Sequence, residues 1–359
     1  MAASFADAAE QQRRLPAELA SQLKEAGLFT TCVPASLGGL EAPLAETLEA
    51  IETIARADAA AGWCVMIQGT SGAISGYVER DAAEEIWRGG DAVTGGAYAP
   101  SGKAESVPGG YRLSGRWSFV SGCTHCTWLL NSAVVEEGPP RTMLFPAAEA
   151  TILDTWNVSG LVGTGSNDVE VTDLFVPQAR TLSLIGASAV EDRPLYRFPL
   201  FGLLALGIGA VALGIARGAV DDLLELAGAK TPTLSRRKLA ERPHVHHQVA
   251  LAEAHLGSLR AFLYEAVGSA WQAAERGDEL SLETRARLRL ASTYATGGCA
   301  QVVDQAYNLG GGTSIYRSSL LQRRFRDIHA ATQHMMVGQP IYELVGRVLL
   351  GLETDTSQL

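Results

Sequence analysis

Nineteen consecutive residues, Phe198–Ala216 (FPLFGLLALGIGAVALGIA), carry no charge, and any fold this chain adopts has to bury them. Their length just reaches that of a membrane span. Five of the nineteen are Gly or Pro, however, and Arg217, Asp221 and Asp222 continue the same helix. Small residues allow close backbone approach, so the segment reads as the central helix of a soluble bundle rather than a span. Charge points the same way. A formal net charge of −10 with no long basic run argues against nucleic acid, which needs a concentrated cationic face. The five cysteines are an odd number, and the opening MAASFADAAEQQRRLP lacks the apolar core of a signal peptide. Together they give the expectation of a reducing, cytoplasmic setting.

The texture changes twice along the 359 residues. Residues 1–95 are expected to form a helical domain: Leu15, Leu19 and Leu23 share one face that stops at Ala26-Gly27-Leu28, and Leu44–Ala60 repeats the pattern. Residues 96–190 carry short alternating segments between Gly and Pro, among them Tyr111–Leu113, Trp117–Val120, Trp128–Val135 and Val169–Val176, which predicts an antiparallel β-domain. Residues 191–359 return to long helical periods, Leu203–Ala227, Pro243–Arg276, Ser281–Leu309 and Ser318–Leu350, a pattern expected of a four-helix bundle.

Most motif matches reduce to packing. Gly207-x-Gly209-x-x-Ala212 fits a loose dinucleotide fingerprint, but it lies inside a helix instead of at a strand-to-helix turn. Cys123-Thr-His-Cys126 has no second ligand pair at zinc spacing, and His244, His246 and His247 follow Pro243 at a helix start; no metal is expected. No Gly-x-Ser-x-Gly elbow or phosphate-binding Walker loop is present.

Two segments remain. Gly115-Arg-Trp-Ser-Phe-Val-Ser121-Gly122 reads as a strand ending in a hydroxyl and a glycine, with Trp117 and Phe119 beside them; alternation sets Ser118 on the opposite face. Gly160-Leu-Val-Gly-Thr-Gly165-Ser166 precedes a segment closing in Val176-Pro177. Together with Pro34-x-x-x-Gly38-Gly39 and the order helices, β-domain, bundle, these segments resemble the acyl-CoA dehydrogenase superfamily over nearly the whole chain. The fold this implies is mainly α with a central β-barrel domain.

The late bundle separates the branches of that superfamily. Acyl-CoA dehydrogenases abstract an α-proton with a glutamate, often in a Tyr-Glu-Gly-Thr segment. Here Tyr307-Asn308-Leu309-Gly310-Gly311-Gly312-Thr313 has no such segment after it, and no carboxylate lies between Asp327 and Glu343. Arg326-Asp327-Ile328-His329-Ala-Ala-Thr-Gln-His334 instead resembles the oxygenase components of two-component flavin monooxygenases. That resemblance implies reduced FMN, with FAD as the other option, and O2 reacting through a C4a-hydroperoxyflavin to oxygenate a small apolar or aromatic substrate. It implies Ser121 and His334 as catalytic residues, Ser121 with its hydroxyl at flavin N5 and His334 exchanging a proton near neutral pH. It assigns Trp117, Phe119, Ser121, Gly122, Arg237, Gly310 and Gly311 to the flavin, and Trp63, Gln68 and His329 to the substrate. A separate flavin reductase and a homotetramer, in which Gly310 and Gly311 approach a neighbour's flavin, are the expected partners. A flavin dehydrogenase or desaturase, and a relative that only binds ligand, are the competing readings.

Overall fold

The computed structural model describes residues 1–186 and 188–359. The N-terminal part is helical: α1 (Ala2–Gln12), α2 (Ala17–Glu25), α3 (Leu44–Ala57), α4 (Ala59–Ser71) and α5 (Arg80–Trp87). Helix α3 buries Leu44, Leu48, Ile51 and Ala55, the stripe that an amphipathic helix turns to a core. The pattern expected to run on to Ala60 is cut at Asp58, whose carboxylate caps α4 by accepting the Ala61 N–H at 2.7 Å. Helix α4 is buried almost throughout, and Trp63 and Gln68 lie on it.

Eight strands follow: β1 (Thr94–Gly95), β2 (Gly102–Val107), β3 (Gly110–Trp117), β4 (Trp128–Val135), β5 (Arg141–Pro146), β6 (Thr151–Leu153), β7 (Asp168–Pro177) and β8 (Thr181–Leu182). They form one sheet in the order β6-β7-β3-β2-β4-β5-β8, with β1 parallel to β4. The sheet is curled into a half-barrel whose end strands, β6 and β8, do not pair. The predicted strand Trp117–Val120 is shorter than expected. It ends at Trp117, paired with Val169, because Phe119 takes a left-handed φ of 65° that no strand tolerates.

The C-terminal part is a bundle of α6 (Leu200–Ala229), α7 (Pro243–Arg276), α8 (Leu282–Gly310), α9 (Leu320–Ala331) and α10 (Pro340–Leu349). Helix α6 carries the uncharged segment and is long and apolar enough to cross a membrane, but protein packs around it. Its glycines are the reason it fits. A Cβ on Gly214 would stand 2.3 Å from the Glu52 carbonyl oxygen of α3, and one on Gly207 would stand 2.7 Å from Met66 of α4. The Gly207–Ala212 motif is therefore helix packing, as the sequence indicated. The fourth expected helix, Ser318–Leu350, is in fact two, broken between Ala331 and Pro340 around a short 3-10 turn at Met335–Val337. His334 lies in that break and not on a helix.

Candidate active site

Where α4, the turn after β3 and the turn before β7 meet, polar groups line up in a buried row. The Trp63 indole N–H donates to Ser121 Oγ at 3.0 Å. Ser121 Oγ is 2.8 Å from Ser166 Oγ, and Ser166 Oγ is 2.7 Å from Thr164 Oγ1. Thr164 Oγ1 donates to the Leu161 carbonyl at 2.8 Å, and the Leu161 N–H donates to the Asp327 carboxylate at 2.6 Å. Ser121, Thr164, Ser166 and Asp327 are all buried. Glycine makes the turn possible: a Cβ on Gly160 would lie 2.0 Å from the Arg326 carbonyl oxygen of α9. Burial pushes the Asp327 carboxyl up to about 7, against the Leu161 N–H and the nearby Arg324 and Arg326, which favour the charged form.

His334 faces the same place from the bundle, its ring 5.8 Å from that of Trp63 and tilted by 59°. Its Nδ1 accepts the Met336 N–H at 3.3 Å, which leaves the proton of the neutral ring on Nε2. Burial, and then the charge of Arg289, push its pKa down to about 4. In this setting the ring is a neutral N–H donor. Arg289 is itself buried and donates to the Met336 and Gln358 carbonyls, while its Nε has no partner among the described residues. It braces the turn that carries His334.

Of the remaining expected contacts, Gln68 is close: its amide donates to the Ser121 carbonyl at 3.0 Å, and its buried Oε1 has no partner among the described residues. Gly122 has a φ of 70°, and a Cβ there would stand 2.4 Å from Gln68 Nε2 and 2.7 Å from His125 Cε1. Among the described residues neither ring nitrogen of His125 has a partner, and burial pushes its pKa down to about 4. Phe119 projects into the open, 71% exposed, edge-on to Trp156. Trp117 does not. It is fully buried and donates to the Ser132 carbonyl at 2.7 Å, so its ring belongs to the sheet core and is not a flat face presented to a ligand. Ser118 turns to Asp168, away from Ser121.

The other expected residues lie elsewhere. Lys230 Nζ donates to the Gly310 carbonyl at 2.6 Å, and the loop from Lys230 to Leu239 carries Arg237. Gly207 packs on Met66, three residues from Trp63; Lys230 is 23 residues further along α6, about 35 Å at the helical rise. Along α8, Arg289 and Gly310 are 21 residues apart, about 32 Å. His329 is paired with Asp304 at 2.8 Å and packed edge-on against Phe325, half-exposed on the bundle, and touches none of the Trp63–Ser121–His334 group. Among the described residues no cluster of His, Cys, Asp or Glu could hold a metal ion.

The N-terminal domain of acyl-CoA dehydrogenases matches residues 1–88, and their C-terminal domain matches residues 206–339. An indole-3-acetate monooxygenase from Pseudomonas putida is 33% identical over 346 residues, covering 95% of this chain and 89% of that protein. The chain belongs to the oxygenase branch of the acyl-CoA dehydrogenase family. Another relative, the flavin-dependent monooxygenase oxygenase subunit HsaA of Mycobacterium tuberculosis, is 32% identical over 343 residues, covering 92% of this chain and 87% of that one. The family fold extends over the full length: the crystal structure of 3-HSA hydroxylase from Rhodococcus sp. RHA1 superposes with a TM-score of 0.93 at 29% identity, over 99% of this chain and 96% of that one.

The residues present fit the flavin this family uses. The Ser121 backbone N–H makes no hydrogen bond to any described residue, and Ser121 Oγ keeps one open lone pair beside the Trp63 donor. With exposed Phe119 next to them, they offer polar contacts and an apolar face to the edge of a flat heteroaromatic ring. Thr164, Ser166 and Arg289 were not singled out from sequence. Thr164 and Ser166 both stand in the Gly160–Ser166 segment, but which hydroxyls they meet is a tertiary fact.

Proposed function

We propose that this chain is the oxygenase component of a two-component flavin-dependent monooxygenase. It takes reduced flavin, FMN or FAD, from a separate reductase and adds oxygen from O2 to a small aromatic substrate. Bound reduced flavin supplies the electrons that activate dioxygen. The chain's own groups do the rest. Ser121 holds the ring edge, Trp63 and His334 wall the substrate side, and His334 Nε2–H donates to an oxygen atom on which charge develops.

One observation carries this reading: the polar groups that meet at Trp63 are hydroxyls and a neutral imidazole, with no carboxylate among them. A dehydrogenase needs a desolvated base to take an α-proton, and the buried carboxylates nearest in sequence are engaged, Asp58 with the Ala61 N–H and Asp327 with the Leu161 N–H. Relatives named for indole-3-acetate and for 3-HSA support an aromatic substrate. The deciding experiment supplies reduced flavin, an aromatic acid or phenol and isotopically labelled O2. Label in the product supports the reading; oxidation of substrate by bound oxidised flavin, without label, overturns it. The assembly proposed is a homotetramer.

A further inference from the structure

The buried hydroxyl row has only one consistent direction. At one end Trp63 Nε1–H can only donate; at the other the Leu161 carbonyl can only accept. Between them stand three hydroxyls with three protons and three oxygen–oxygen gaps of 2.8, 2.7 and 2.8 Å. Each gap needs one proton, so Thr164 donates to Leu161, Ser166 to Thr164, and Ser121 to Ser166. A reversed hydroxyl would leave one gap without a proton, two oxygens in close contact and a buried donor unpaired. Ser121 has then used its proton on Ser166 and one lone pair on Trp63, and what remains is a single lone pair.

We propose that Thr164 and Ser166 are positioning residues that make Ser121 a pure acceptor, so that the site selects flavin in its reduced state. The inference rests on the flavin reading above, with Ser121 at N5. Reduced flavin carries a hydrogen on N5 and can donate it to that lone pair. Oxidised flavin presents a lone pair of its own at N5, which meets the serine oxygen with repulsion and no bond. An oxygenase fed by a diffusing reduced cofactor needs this discrimination, because oxidised flavin competes for the same site.

The test measures affinities for reduced and oxidised FMN, and for FAD, by fluorescence titration of the wild type and variants without oxygen. Ser166→Ala frees the Ser121 hydroxyl to turn and donate. The preference for reduced over oxidised flavin should then fall by about 5- to 20-fold, the worth of one hydrogen bond gained and one lost. Ser166→Thr keeps a hydroxyl and should keep the preference, and Ser121→Ala should remove most of it. In the flavin-free protein the Trp63 indole N–H resonance should shift in Ser166→Ala and hold in Ser166→Thr. If Ser166→Ala does not fold, Thr164→Val breaks the same row one step on and must lower the preference too. Both affinities moving together at constant preference, or Ser166→Thr behaving as Ser166→Ala, overturns the proposal alone. No binding of FMN or FAD to the wild type overturns the functional reading and the proposal with it.

Discussion

His334 keeps its proton on Nε2 because the Met336 N–H occupies Nδ1, and it stays neutral because it is buried beside Arg289. Its contribution as a donor should therefore be constant from about pH 5.5 to 8.5, and an inflection near 6.5 in product yield that vanishes in His334→Gln would contradict it. His334→Ala should lower coupled oxygenation by about 10²–10³-fold, the usual loss for one donor to a developing charge, with flavin affinity nearly unchanged. Asp327 has the opposite linkage. Its folded pKa is raised to about 7, so between the unfolded value near 4 and pH 7 the folded state holds a proton that the unfolded state has lost. Stability from this group is present in full below pH 4 and is lost as pH rises through 7. Asn can still accept the Leu161 N–H and never ionises. Asp327→Asn should thus gain on the wild type by up to about 1.4 kcal/mol per pH unit across that window. Chemical denaturation at pH 4.5 and pH 8 checks it, and a variant less stable than wild type at pH 8 would refute the burial argument.

Among the elements, α6 was legible because its glycines interrupt an otherwise apolar run at positions that only close packing explains. Gly214→Ala should cost about 1–3 kcal/mol, since its Cβ meets the Glu52 carbonyl backbone and Ala55 with no flexible side chain to move. Gly257→Ala in α7, with nothing within 4 Å, should instead stabilise by roughly 0.5–1 kcal/mol. Thermal melts of the pair that move the same way would show that α6 is not packed as described. Two other elements were misread for physical reasons. The apolar period runs through Ile328, Ala331, Val337, Ile341 and Val345, all buried, so periodicity could not see the break that holds His334; Gly338 and Pro340 were the only local signal. The end of β3 depends on left-handed Phe119, and phenylalanine announces no such turn. Ser121 was legible as a residue, but its direction was not, because Trp63, Thr164 and Ser166 reach it from segments 58 and 45 residues away.

At the scale of the whole molecule, the expected flavin contacts fall into two groups that one chain keeps apart. Ser121, Trp63 and His334 meet beside α4; Gly310 and Lys230 meet past the C-terminal end of α6, where the loop that carries Arg237 begins. We propose that the two groups serve the flavins of different subunits. Arg237 and the Gly310–Gly311 turn then hold a neighbour's flavin, and each site is shared. Complementation of inactive variants tests this without a structure of the assembly. Arg237→Glu should weaken flavin binding from the far end, and His334→Ala should cut oxygenation from the near one. Co-expressed, the two chains mix, and a site formed by His334 of one subunit and Arg237 of another escapes both substitutions about one time in four, if assembly is random and closed. Recovery of about a quarter of wild-type coupled turnover in the mixed oligomer is the expected result, with neither variant active alone. Sites built within one subunit always carry one substitution or the other, so a mixed oligomer as inactive as its parents would put Arg237 in its own subunit's flavin site, and an Arg237→Glu variant with wild-type flavin affinity and turnover would place Arg237 outside the flavin site.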